Sequence, residues 1–109
     1  MKGDRVYLGH IRDAIQDIEQ YTSVEREVFM ADRMRQDAVI RKLEIIGEAV
    51  KKLSDDIKQH RPEIPWKRIA GMRDRLTHDY FSVDLLLVRV VVDRELSTLK
   101  TAVEALFSE

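Results

Sequence analysis

The stretch Ala38-Val39-Ile40-Arg41-Lys42-Leu43-Glu44-Ile45-Ile46-Gly47-Glu48-Ala49-Val50-Lys51-Lys52-Leu53 decides the fold class. Val39, Leu43, Ile46, Val50 and Leu53 succeed one another at steps of four, three, four and three, which keeps their side chains on one face of an α-helix. The spacing predicts a central helix from about Arg33 to Leu53. Gly47 inside it costs roughly 1 kcal/mol relative to alanine, a loss that makes sense if another helix passes close to the backbone there.

Working outward, Asp4 begins a second helical pattern, with Leu8, Ile11, Ile15 and Ile18 at three- and four-residue steps and Tyr7, Ala14 and Tyr21 alongside. This helix is expected to stop near Tyr21. Thr22 followed by Glu25 has the form of a capping box and predicts a short helix through Phe29, after which Asp32 offers an N-cap to the central helix. Beyond the central helix, Ser54 is placed to cap a brief helix to His60. Arg61-Pro62-Glu63-Ile64-Pro65 holds both prolines and marks a turn, with a new helix expected from Pro65 or Trp66 toward Tyr80. Ser82 is the expected N-cap of a last helix, in which Leu85, Val88, Val92, Leu96, Leu99, Val103 and Leu106 keep helical spacing. The valine-rich run from Leu85 to Val92 also suits a buried strand, but its continuation in helical period decides for a helix.

Composition agrees with an all-α domain. Charged residues make up 36% of the 109 positions, with only four Gly and two Pro. No linker, repeat or low-complexity tract divides the chain, so residues 1–109 are expected to form a single domain. Nineteen Lys and Arg against twenty Asp and Glu leave a net charge of −1, so no global field draws nucleic acid and any RNA site must be local. The absence of cysteine excludes disulfides, thiolate zinc sites and cysteine nucleophiles. The opening MKGDRVYLGHIRD lacks a signal-peptide core and no segment approaches a membrane span, so a cytoplasmic location is expected.

Chemistry concentrates in Arg73-Asp74-Arg75-Leu76-Thr77-His78-Asp79-Tyr80, which sets a cation, a proton carrier near neutral pH and a modifiable hydroxyl in one short segment. That set suits work on a phosphodiester. On a straight helix Arg73 and His78 point about 140° apart. Either the helix loosens near Leu76 to His78, or the site is assembled from two copies across a two-fold axis. Arg73 and Tyr80 fall on nearly the same face. Between His60 and His78, Arg61, Lys67, Arg68, Arg73 and Arg75 outnumber Glu63 and Asp74, a local excess able to hold RNA phosphates. A solvated basic face is the competing reading for Lys67, Arg68 and Arg75 individually. Trp66 either stacks on a base or anchors the proline turn in the core, and its place after Pro65 favours the anchor. Glu44 and Glu48, one turn apart, lack the histidine partners of a metal-binding bundle. Glu48 is instead read as a buried or cleft-edge partner for an arginine such as Arg73.

Three segments together resemble the HepT-like branch of the HEPN ribonucleases: Ala38 to Ala49 with its Gly47-Glu48-Ala49 step, Pro62 to Arg73, and the Arg-x-x-x-x-His-x-Tyr arrangement of Arg73, His78 and Tyr80 ending in Phe81. The likeness runs nearly end to end. It implies a HEPN-type bundle of four to five helices that forms a homodimer, with Arg73 and His78 as the catalytic pair in the cleft between subunits. It further implies RNA cleavage without metal or other cofactor, in a toxin–antitoxin system. Tyr80 occupies the position to which an MntA-type nucleotidyltransferase antitoxin attaches AMP, silencing the toxin. Asp79 is a supporting candidate. The alternative from a different class is a non-catalytic helical interaction module that binds a nucleotidyltransferase or presents RNA to it, with Tyr80 packing beside Phe81.

Overall fold

A computed structural model describes residues 2–71, 88 and 90–108, with the backbone alone described at Lys2. The chain runs through α1 (Lys2–Tyr21), α2 (Arg26–Ala31), α3 (Arg33–Lys52), α4 (Asp55–His60) and α5 (Trp66–Ala70). It then passes a π-helical turn (Val91–Glu95) into α6 (Leu96–Ser108). Among the described residues there is no strand, as the all-α reading expects. The expected continuation of α5 toward Tyr80 and the Ser82 cap lie outside the described residues.

The core is built from the periodic residues. Leu8, Ile11, Ile15 and Ile18 of α1 meet Val39, Leu43, Ile46 and Val50 of α3, and Leu99, Val103 and Leu106 of α6 close the bundle. Burial of these stripes is the main term holding the helices together. Across the rim of α1 and α3, Lys42 Nζ lies 2.9 Å from the Asp17 carboxylate. The hydrogen bond to Asp17 holds the Lys42 ammonium above its usual value.

Helix boundaries follow specific polar groups. Asp32 caps α3 by accepting from the Arg35 amide at 3.1 Å, and Ser54 caps α4 by accepting from the Ile57 amide at 3.4 Å, both as expected. Arg35 also reaches back to donate to the Tyr21 carbonyl at 3.0 Å, placing a cation at the C-terminal end of α1. Thr22 departs from the expected capping box. Its hydroxyl donates to the Ile18 carbonyl at 2.8 Å and so closes α1, while α2 starts after Glu25 with no side-chain cap. The Ile18 carbonyl one turn back, which also accepts from the Thr22 amide at 2.9 Å, takes the hydroxyl in place of the amide that a capping box would offer. At the α2–α3 corner, the buried Gln36 donates to the Phe29 carbonyl at 2.8 Å and Phe29 fills the core beneath it.

The last helix differs from a uniform α pattern at one place. The Leu96 amide donates to the Val91 carbonyl, a five-residue hydrogen bond that inserts one extra residue into the turn. Val91 is therefore fully buried where the regular spacing expects Val92, and the buried series reads Val88, Val91, Leu96, Leu99 and Val103. The strand alternative for this run fails at Val88, Val90 and Val91, which are helical.

Asp4 is the other unexpected element. Only 5% exposed in the first turn of α1, it accepts from the Ser54 amide at 2.8 Å and from the Ser54 hydroxyl at 2.7 Å. One carboxylate thereby fastens the start of α1 to the junction of α3 and α4, where Ser54 is itself the cap.

Candidate active site

The described part of the candidate site is the platform from which the chain enters its Arg73–Tyr80 motif. Trp66 opens α5 with its indole buried, and its Nε1–H is shared between the carbonyls of Arg61 at 3.0 Å and Lys58 at 3.1 Å. This pins both ends of the proline turn and leaves no ring face for a base, so the anchoring reading of Trp66 holds. Pro65 stands one residue earlier than a first helical position, as the N-cap, and its carbonyl accepts from the Ile69 amide at 3.0 Å. Ile64 and Ile69 are buried on either side of it.

Gly47 is what lets α5 sit where it does. A Cβ at that position would lie 3.2 Å from the Ala70 carbonyl oxygen and 3.3 Å from that of Ile69, inside ordinary van der Waals contact. The helix that passes close to the α3 backbone is α5, and its last two carbonyls make the approach. The roughly 1 kcal/mol that glycine costs α3 is offset by packing the short α5 directly against the central helix. From Gly71, whose amide donates to the Lys67 carbonyl at 3.0 Å, the chain continues toward Arg73.

Of the residues expected to act, Arg73, Arg75, His78, Asp79 and Tyr80 lie outside the described residues. Lys67 and Arg68 both project from α5 into solvent. Lys67 has no ion-pair partner among the described residues, whereas Arg68 pairs through Nη2 with Glu95 at the end of the π turn. Arg68 is 55% exposed and Glu95 only 10%, so part of the positive field that Arg68 was expected to offer RNA is cancelled by a nearly buried carboxylate. Of the two places expected for Glu48, the buried one does not hold, and a pairing with Arg73 at a cleft edge lies outside the described residues. The Glu48 side chain is 68% exposed and faces Lys51, one turn along α3, at 3.3 Å. The buried face at that turn is occupied by Gly47 and Ala49, which leaves Glu48 on the solvent side.

Glu95 was missed by sequence reasoning although a signal was present. It interrupts the apolar stripe seven residues after Val88 and four before Leu99, and a carboxylate on such a stripe requires a cation. Away from the platform, a cavity of about 330 Å³ opens between α1 and α6, lined by Arg12, Gln16, Glu19, Lys100 and Glu104 among others. The Glu19–Lys100 ion pair spans it at 2.9 Å, and Glu19 holds the Lys100 ammonium above its usual value. Among the described residues no group of three His, Asp or Glu is arranged to hold a metal ion, and no helix is long and apolar enough to cross a membrane.

Comparison with known proteins covers nearly all of this architecture. Residues 11–106 match the profile of the family "Ribonuclease HepT-like". A "Probable ribonuclease HepT" of Thermococcus cleftensis is 46% identical over 101 residues, which cover 92% of each chain. A "Gamma-glutamylcyclotransferase and putative RNase" of Methanocaldococcus jannaschii is 42% identical over 109 residues, 99% of this chain but 49% of that longer protein. A "Putative RNase" of Caldanaerobacter subterraneus is 37% identical over 110 residues, spanning 98% of its length. No solved structure shows a significant match. With the family profile spanning the chain from the middle of α1 to the end of α6 and full-length relatives on both sides of 40% identity, this protein belongs to the HepT-like ribonuclease family.

Proposed function

We propose that the protein is a metal-independent RNA endonuclease toxin, acting as a homodimer, in which Arg73 and His78 carry the chemistry. The observation that carries this reading is family membership together with an unbroken Arg73, His78 and Tyr80 in the sequence. Histidine, with a reference pKa near 6.5, takes the proton from a ribose 2′-hydroxyl or returns one to the departing 5′-oxygen. The guanidinium of Arg73 stays charged and steadies the extra negative charge on phosphorus as the 2′-oxygen attacks. The products are a 2′,3′-cyclic phosphate and a 5′-hydroxyl, and DNA, without the 2′-hydroxyl, is inert. Lys67 and Arg75 supply the local cations for the RNA backbone, with Arg68 contributing less because of Glu95. Asp79 adjoins His78 in sequence and is a supporting residue.

The reading is tested by incubating the purified protein with cellular RNA in excess chelator and mapping the new ends. Cyclic phosphate termini are expected, with single-stranded DNA of the same sequence left intact. Cleavage that vanishes in chelator and returns with a divalent cation would replace the metal-independent mechanism.

Control is proposed to act at Tyr80, through a cognate MntA-type nucleotidyltransferase. Transfer of AMP to the phenol places a phosphate and a nucleoside beside Arg73 and His78, which both occupies the cation and blocks the cleft. Co-expression with that enzyme is expected to yield protein heavier by one or more adenylyl groups on Tyr80, without nuclease activity, and Tyr80→Phe is expected to escape the modification. Full silencing of Tyr80→Phe with no adduct would assign control to complex formation, and would favour the interaction-module account.

A further inference from the structure

We infer that Arg5 and Arg12, held on the ring of Phe107, form a binding site for the phosphate backbone of single-stranded RNA, an inference that rests on the ribonuclease reading above. Arg5 stands four residues before Gly9 and Arg12 three after it, so all three share one face of α1. The Phe107 ring, in the last turn of α6, comes down at Gly9, where an added Cβ would lie 3.8 Å from Phe107 Cζ. Both guanidiniums close over that ring. The Arg5 guanidinium carbon is 4.9 Å from its centroid and that of Arg12 is 4.6 Å, within the range of a cation–π contact. Arg5 also donates through Nη1 to the Phe107 carbonyl at 3.5 Å.

One stacked guanidinium is enough to pin the end of α6 to α1. The second adds a contact but also a like charge beside the first, an arrangement that an anion lying over the pair relieves. Neither cation is strongly engaged by the protein. Among the described residues Arg5 has no ion-pair partner, and Arg12 has only its chain neighbour Asp13 at 3.5 Å, with both side chains more than half exposed. Lys42 and Lys100, by contrast, are each held by a carboxylate at 2.9 Å. Glu104 lines the same cavity as Arg12 and limits the positive surface on that side. Stacking on the ring orders each guanidinium in advance, while its in-plane N–H edge stays free to address two phosphate oxygens. Ordering before binding removes part of the entropic cost of association. Family membership favours RNA as the polyanion. With a net charge of −1 the chain has no global attraction for it, so affinity has to come from local pairs such as this one.

The test is binding of a fluorescently labelled single-stranded RNA, read by anisotropy between about 50 and 200 mM salt. The 109-residue chain carries His78→Ala throughout, so that the probe stays intact. Each phosphate contact on a single strand contributes about 0.7 to the slope of log affinity against log salt. Arg5→Gln with Arg12→Gln is therefore expected to flatten that slope by about 1.4 and to weaken binding about 10-fold at the lowest salt. Arg26→Gln with Arg33→Gln, an equal loss of charge at exposed arginines of α2 and α3, is expected to leave the slope nearly unchanged. Phe107→Leu keeps both charges and removes their platform, and is expected to keep the slope while weakening binding a few-fold. If circular dichroism shows that the neutral pair does not fold, the single variants carry the test, each expected to flatten the slope by about 0.7. An unchanged slope in the neutral variants overturns the inference, as does equal flattening in the Arg26 and Arg33 control. Displacement of the probe by polyglutamate as effectively as by unlabelled RNA of equal charge would make this a surface for acidic proteins and also overturns it. Cleavage is scored apart from binding. If the protein with His78 intact cuts RNA no faster than His78→Ala while the slope changes appear, the nuclease reading has failed and the RNA site stands.

Discussion

Replacing His78 with alanine is expected to lower RNA cleavage by about 10²–10⁴-fold, the range over which a positioned general acid or base contributes. The imidazole is the one group in the Arg73–Tyr80 segment that both accepts and donates a proton near neutral pH, so no neighbour replaces it. Helix content and thermal stability are expected to stay near wild type, because the substitution removes a proton carrier and leaves the packed stripes of α1, α3 and α6 intact. Arg73→Lys is the companion variant. It retains the charge but loses the planar fork that addresses two phosphate oxygens at once, and its kcat is expected to fall with it. Cleavage by His78→Ala at the wild-type rate in excess chelator would remove His78 from the mechanism. Undiminished activity in Arg73→Lys would reduce Arg73 to a point charge.

The second large effect is on stability and is expected at Asp4, outside the motif. Its carboxylate takes two hydrogen bonds from Ser54 while 5% exposed. Hydrogen bonds to a charged group contribute roughly 1.5–3 kcal/mol each, and their loss in Asp4→Ala also leaves the Ser54 amide without its acceptor. A destabilisation of roughly 2–4 kcal/mol is expected from urea unfolding. Burial pushes the Asp4 carboxyl up, but the Ser54 hydroxyl, the Ser54 amide and the charge of Lys58 together hold it below the ordinary value of 3.8. A depressed carboxylate binds fewer protons folded than unfolded, so its contribution is complete above that ordinary value and disappears as pH falls through the lower, folded value. The stability difference between wild type and Asp4→Ala is therefore expected to be flat from pH 7 to about pH 5 and to shrink below about pH 4. A difference that stays constant down to pH 2 would show that the carboxylate charge has no part in the clasp. Asp4→Asn, which keeps one acceptor and loses the charge, is expected to fall between the two proteins.

Both predictions show where local sequence is decisive and where it is not. The stripes of α1 and α3 were legible because a helix repeats every 3.6 residues and burial acts on every residue of one face alike. Leu8, Ile11, Ile15 and Ile18, like Val39, Leu43, Ile46 and Val50, are all buried where their spacing puts them. Asp32 and Ser54 were legible as caps because a cap bonds an amide only three residues away. Gly47 was legible in part: its cost to the helix implied a close neighbour, but not that the neighbour would be the Ile69 and Ala70 carbonyls of α5.

The Arg73–Tyr80 segment was legible as a concentration of chemistry from its residue types, while the roles proposed for Arg73, His78 and Tyr80 come from the resemblance to the HepT-like family. What only the tertiary structure decided are choices between partners distant in sequence. Thr22 closes α1 instead of opening α2, Asp4 reaches Ser54 across the bundle, and Glu95 takes the charge of Arg68. The π turn moves Val91 into the core in place of Val92. Each of these choices compares groups whose separation is unknown until the helices have packed. A polar side chain near a buried surface bonds whichever partner the fold brings within reach, and periodicity within one helix carries no record of the next.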